Sequence, residues 1–306
     1  MNLPFVPESS PVAGFRPRCK VGPPMAAAGA GGLLDMAMGL LAAPQADPWA
    51  DHLSAVELVL APAPAISHAR LTLVDRDGAP AVAAGDTLRV ELGEEGALSP
   101  LLQGEVLAVD GLPGSQRTVL LASAAVALAR QRHNTSHRAR SLADLLAGFA
   151  AEAGLTPGAL EGTGTYPFLA LDDRRSLWEW AGLLAAQAGL RVWVDGTGAL
   201  RCAAPGAAAV QTFRYGHDVL MLEHHAGSAP PGALAVVGEG AAGSQGAAAW
   251  SWLTKDPQGV RGQAGTGAAR RVFGDGTLRT AAAARDAAQA YRRQAQARAT
   301  RLRLQV

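Results

Sequence analysis

The sequence predicts an α+β chain that is mainly β, with two antiparallel β-barrel-like domains linked by a helical segment and the second barrel incomplete at its C-terminus. Three observations predict it. Apolar and polar residues alternate between about Phe15 and Ala127, the period changes to that of a helix at Ser141 and again at Ser176, and alternation returns after Leu190.

The first block reads as half-buried antiparallel strands. Leu58 and Leu60 alternate, as do Leu71 and Leu73; the turn Asp75-Arg76-Asp77-Gly78 follows, then Leu88, Val90 and Leu92. Val106 to Val109 and Val119 to Leu121 continue the set, and about six such strands suffice to close a small barrel or sandwich. Residues 22–50 interrupt the pattern with a Pro/Gly/Ala-rich insert. Its short apolar stretch, Leu33-Leu34-Asp35-Met36-Ala37-Met38, suits a surface loop or docking helix.

At Ser141 the stripe Leu142, Leu145, Leu146, Phe149 announces a helix, with Ser141 and Asp144 placed to cap its start and Gly154 to end it. A second helix repeats these signals: Ser176 with Glu179, then Leu177, Trp180, Ala181 and Leu184, then Gly189. Both close on Ala-Gly-Leu, text that is either a faint duplication or a coincidence in an Ala-rich chain. Trp178 falls off the apolar stripe and is expected to be more exposed or to face another element.

Val192 and Val194, the turn Asp195-Gly196, then Leu200 and Cys202 predict a hairpin. Val219–Leu222, Ala233–Val237 and Trp250–Leu253 are further strand candidates. An Ala-rich helix from about Ala281 to Arg298, capped by Thr280, precedes the alternating Leu302, Leu304 and Val306. That last strand needs a partner, which missing sequence or a neighbouring molecule would supply. The domain reading is a tail at 1–14, a first barrel-like domain at 15–128, a helical segment at 129–189 and a second barrel-like domain at 190–306.

Composition narrows function by exclusion. Charged residues are 17% of 306 and the formal net charge is +1, so no long-range field gathers nucleic acid or an anionic membrane. Lysine occurs only at Lys20 and Lys255, and the Arg bias together with abundant Ala and Gly reads as a GC-rich coding sequence. Cys19 and Cys202 form no disulfide or metal pattern, which suits a reducing compartment. The stretch Met25 to Ala43 imitates a signal peptide, but Asp35 interrupts it and it begins far into the chain. No run approaches the roughly 20 apolar residues of a spanning helix.

Each motif that suggests chemistry fails on context. Gly238-x-Gly240-x-x-Gly243 follows an apolar run as a dinucleotide fingerprint would, yet Ser244-Gln245-Gly246 stands where the phosphate-binding helix should open. His217, Glu223, His224 and His225 include metal-capable side chains, but adjacent residues on a strand point to opposite faces. Asp172 and Asp173, beside Arg174 and Arg175, read as acidic residues that suit a helix N-terminus. Arg130, Arg132, His133, Arg138 and Arg140 lack the interleaved aromatics of a nucleic-acid surface and read as a solvated connector or a rim facing a partner protein. Trp49, Trp250 and Trp252 read as core, with a partner surface as the second reading. The expectation is a protein with no catalytic, cofactor-binding or metal-binding residues and no cofactor.

The order of elements carries a family resemblance. Gly85-Asp86-x-Leu88-x-Val90-x-Leu92-Gly93 and Leu102-x-Gly104-x-Val106 resemble the first barrel of the phage tail and baseplate hub family, the late control protein D and VgrG-like proteins of contractile injection systems. Ser141 to Leu155, Tyr166 to Leu171, and Asp172 through Trp180 to Gly189-Leu190-x-x-Trp193-Val194-Asp195 resemble that family's inter-barrel helices. Ala233 to Gly238 is similar to its later V-x-V-x-G strand, and the Ala-rich helix resembles the one preceding its closing strands. The insert at 22–50 and the lack of strands after Val306 depart from the pattern.

The resemblance implies a non-enzymatic hub: a homotrimer of two-barrel subunits adapting a sixfold tail tube to a threefold spike. Its partners would be further copies of itself, a tail tube protein, a spike protein and other baseplate proteins, without nucleic acid or membrane. It would be cytoplasmic during assembly and then part of a virion tail or injection particle. The chain lacks a VgrG-type spike segment, which favours a phage-type hub separate from its spike. Two alternatives stand beside it: a cell-surface or carbohydrate-binding β-protein using its Trp residues, and a hydrolase with an unrecognised site near His217 to His225.

Overall fold

The computed structural model describes residues 17–24, 47–94, 96–112, 114–206, 214, 216, 219, 221–227, 232–239, 260–267 and 270–305. The chain divides into two compact units. One takes the described residues up to Val59 together with His68–Ser123; the other takes Leu60–Ser67 and everything from Ala124.

The first unit is one six-stranded antiparallel sheet. Its strands are β1 (Pro17–Gly22), β2 (Leu53–Val59), β3 (His68–Val74), β4 (Thr87–Glu94), β5 (Ala97–Gly111) and β6 (Gln116–Ser123), in the order β1-β4-β5-β6-β3-β2. The sheet curls into a half-barrel. Register shifts at Val90/Glu91 and at Val106/Ala108 mark bulges, which bend strands and increase their twist. Among the described residues β1 and β2 remain unpaired edges. The alternation read from sequence is the buried face: Leu71, Leu73, Val90, Val106, Val119 and Leu121 are fully buried. Leu60 lies beyond β2 and is 56% exposed, because the chain has left the sheet there. Helix α1 (Pro48–His52), capped by Asp47, adds Trp49 to this core.

The second unit alternates helices with small sheets. Its elements are α2 (Ala125–Arg130), β7 (Thr135–Ser141), α3 (Leu142–Glu152), β8 (Thr156–Leu160), β9 (Thr165–Leu171), α4 (Leu177–Gln187), β10 (Arg191–Val194), β11 (Ala199–Ala203), β12 (Met221–Ala226), β13 (Ala233–Val237), β14 (Arg261–Gly265), β15 (Arg270–Gly274), α5 (Ala281–Arg298) and β16 (Thr300–Gln305). The sheets are β10-β11-β8, β7-β9, β14-β13-β15 and β12-β16. The class is the expected one, α+β and mainly β. Two pairings, β11 with β8 and β13 with β15, are parallel, a detail that alternation cannot reveal.

Helices α3 and α4 are bounded by identical local chemistry. Ser141 and Asp144, then Ser176 and Glu179, form reciprocal capping boxes. At the other ends Leu155 N–H donates to Ala150 O and Leu190 N–H to Ala185 O, each at 2.8 Å, while Gly154 and Gly189 adopt φ of 69° and 75°. The repeated Ala-Gly-Leu is therefore a helix-stop signal read twice: glycine enters the left-handed region without a Cβ penalty and the following leucine closes the turn.

The stripes pack as read, with Leu142, Leu146, Leu177 and Leu184 at or below 1% exposure. Trp178 does face another element. It is 1% exposed, and its Nε1–H donates to Ala65 O at 3.0 Å in the 60–67 segment.

Helix α5, capped by Thr280, buries Ala284, Ala287 and Ala288 against β13 and β14 and Ala290 beside Gly189. The approach is so close that a Cβ on Gly262 would lie 2.1 Å from Arg285 N. Small residues are what this contact requires. The last strand also has its partner within the chain: β16 pairs antiparallel with β12, from Met221 opposite Gln305 to Ala226 opposite Thr300. The expected need for outside sequence to supply a first partner is corrected, because the second strand comes from about 80 residues upstream, beyond the reach of local pattern. Leu33–Met38, His217, Gly240, Gly243 and Trp250–Leu253 lie outside the described residues.

Candidate interaction surface

A half-buried polar cluster around Gln187 holds α4 to the segment that enters α5. Gln187, the last residue of α4 and 4% exposed, donates through Nε2 to Asp275 Oδ2 at 2.6 Å and to Thr277 Oγ1 at 2.7 Å. Tyr166 OH donates to Gln187 Oε1 at 3.3 Å, and Tyr291 also hydrogen-bonds Asp275. Burial, reinforced by the Asp275 charge, pushes both phenols above their ordinary range and keeps them protonated donors. Asp275 Oδ1 meanwhile accepts from Thr277 N–H at 3.0 Å and Thr277 Oγ1–H at 2.6 Å. Asp195 makes the same pair of bonds to Thr197 at the same distances, and its other oxygen binds Arg201 at 2.7 Å. The text Asp-Gly-Thr, present at both places, was the available signal for these turns. Nothing local marks Asp275 as the partner of Gln187.

Beside this cluster lies a cleft of about 650 Å³. Its walls carry three guanidinium groups on aromatic faces: Arg175 lies 5.0 Å from the Trp180 ring centroid, Arg271 4.7 Å from Phe273, and Arg279 5.9 Å from Phe168. Arg174 is paired with Asp172 on the same wall. That ion pair, not the helix N-terminus, engages Asp172; Ser176 with Glu179 caps α4, and the Arg174 hydrogen bond holds the Asp172 carboxyl below its usual value. The expected helix-terminal role of Asp172 and Asp173 is corrected accordingly, since both lie before the N-cap.

The basic stretch after α2 has an internal task. Arg132 Nη1 donates to Arg174 O at 2.7 Å and to Asp173 O at 3.3 Å, tying the turn before α4, while His133 lies 3.4 Å from Glu152. Arg138 and Arg140 belong to strand β7, paired with β9, where a connector was expected. Gly238 is explained by packing, because a Cβ there would lie 2.3 Å from Leu278 O.

The second surface is the β12–β16 ribbon. Met221, Leu222 and Leu302 are 42%, 47% and 62% exposed, far more than apolar side chains of a covered strand. Both strands present an unpaired edge among the described residues. His224 stands opposite Leu302, and His225 lies 3.5 Å from Glu223, which also meets Arg303 at 3.7 Å. Among the described residues no cluster of three or more His, Cys, Asp or Glu is arranged to hold a metal, and no helix is long and apolar enough to cross a membrane.

No family model and no curated protein matches the chain. Among solved structures it is similar to the 43 kDa tail protein of prophage MuSo2 from Shewanella oneidensis, with a TM-score of 0.57, 13% identity and 82% of each chain covered. It is likewise similar to the tail protein from Neisseria meningitidis MC58, with a TM-score of 0.56, 13% identity, and coverage of 81% of this chain and 72% of that one. At such identity the likeness is one of backbone architecture: this chain shares its fold with these two tail proteins.

Proposed function

We propose that the chain is a non-enzymatic structural subunit of a phage tail or related contractile injection baseplate, and within it the hub. The observation that carries the reading is the two-unit architecture, similar to a prophage tail protein over 82% of both chains. The finer reading, a homotrimer that adapts a sixfold tube to a threefold spike, is supported by the hub-like order of elements between Ser141 and Asp195 and by the β12–β16 ribbon.

A two-stranded ribbon is marginal in water, and one with exposed Met221, Leu222 and Leu302 gains from a third strand. The occupant proposed is a second copy of this chain. The free edge of β12 joined to the free edge of β16 in the next copy is a head-to-tail contact, which closes into a trimeric ring when the rotation between successive copies is about 120°. Tail tube, spike and other baseplate proteins would then dock on that ring.

Native mass spectrometry and light scattering on the full chain test the proposal. A homotrimer is expected, and a monomer at every concentration tested would overturn the hub reading. The carbohydrate-binding alternative loses one of its ligand-stacking candidates, since Trp178 is 1% exposed.

A further inference from the structure

We infer that the arginine-lined cleft of the second unit is a docking site for an acidic peptide segment of a partner protein. The first argument is the state of its arginines. Arg175, Arg271 and Arg298 line the cleft and are exposed, and none makes an ion pair among the described residues. Arg175 lies within electrostatic reach of Asp172 and Glu179 without pairing with either. Arg175 and Arg271 lie over the rings of Trp180 and Phe273, 5.0 and 4.7 Å from the centroids. A ring beneath a guanidinium leaves its charge unneutralised, and a guanidinium takes a carboxylate through two parallel hydrogen bonds.

The second argument is the charge of the walls. Five arginines, Arg174, Arg175, Arg271, Arg279 and Arg298, line the cleft against two acidic residues, Asp172 and Asp275. Arg174 is paired with Asp172 and Arg279 with Glu239, which leaves an excess of positive charge for an acidic ligand.

The third argument is size and lining. About 650 Å³ is far more than a single small anion fills and within the range of sites that hold drug-sized ligands. Leu183 and Leu234 contribute apolar wall, so the fitting segment carries an apolar residue between acidic ones. Nucleic acid fits less well: the net charge is only +1, and Trp180, at 3% exposure, offers no open ring face for a base.

The site is independent of the ribbon, so a chain that proves monomeric would still bind. The experiment uses the full chain against an array of short peptides in which Asp or Glu alternate with Leu or Phe. The matching array with Asn and Gln is the control, and inorganic phosphate and a thymidine oligonucleotide are competitors. Binding of acidic peptides is expected, at least about tenfold tighter than the amide versions and weakened by salt. R175A and R271A should each lower it about tenfold or more, with far-ultraviolet circular dichroism and the urea midpoint unchanged because both side chains are exposed. R298Q, on the exposed last turn of α5, gives an independent loss should either of those variants fold poorly. Equal binding of acidic and amide arrays, unaltered affinity in all three variants, or full competition by phosphate or by the oligonucleotide would each overturn the inference.

Discussion

Gln187 donates its side-chain amide to Asp275 at 2.6 Å, and 88 residues separate the two. The contact is the polar link between the helical part of the second unit and the turn that launches α5. Its neighbour Gln294 adds a bond to Ala186 O at 3.1 Å. Replacing Gln187 by Leu strips the half-buried Asp275 carboxylate of one partner. A loss of about 2–3 kcal/mol is expected by urea denaturation. A Q187L/T277V pair should be less than additive, since both residues serve the same cluster.

The two capping boxes give a sharper prediction. Ser141→Ala and Ser176→Ala should each cost about 1 kcal/mol. Asp144 and Glu179 are both held below their usual carboxyl range by their serine partners. A depressed folded value contributes stability above the unfolded one and loses it as pH falls. The stability gap between wild type and either serine variant should therefore narrow on acidification below about pH 4.

Gly262 should be nearly irreplaceable. Its missing Cβ would meet the backbone of α5 at Arg285 N and Ala284 C, 2.1 and 2.2 Å away, and backbone cannot rotate aside as a side chain does. Gly262→Val is expected to cost at least about 2–3 kcal/mol in thermal or urea unfolding. Gly274, which has open space around the same position, should accept Ala at a fraction of that cost.

Burial raises the Cys202 thiol to about 11 from 9.0. A raised folded value means the contribution is complete below pH 9.0 and lost as pH rises through about 11. Native protein at pH 8 should therefore react slowly with thiol reagents at Cys202, which is fully buried, and unfolding by urea should release the reactivity. Between pH 9 and 11 stability should fall, and Cys202→Ala should flatten that part of the decline.

If copies join through the ribbon, Leu302→Asp places a charge on the surface to be covered. The expected outcome is a shift from trimer to monomer in light scattering with the melting temperature of the monomer unchanged, because Leu302 is already 62% exposed.

Features made by neighbours in the chain were legible in the residues alone. Ser141 with Asp144, Ser176 with Glu179, Thr280 before the Ala-rich helix, the turn at Asp195 and the alternation of Leu71 with Leu73 all rest on bonds or spacings within a few residues. Such signals are written locally, so they survive without knowledge of the rest. Strand partners are not: every strand offers the same backbone donors and acceptors, so nothing in Leu302 or Leu304 says that β16 lies on β12, or in Thr156 to Leu160 that β8 runs parallel to β11. The same holds for chemistry assembled across distance. Arg175 over Trp180 is five residues apart and Arg271 over Phe273 two, yet the cleft they share exists only because α5 and β15 pack beside α4. Burial of Gln187 beside Asp275, and the open face of Leu302, likewise follow from which elements pack together, a sum of long-range contacts that no local window contains.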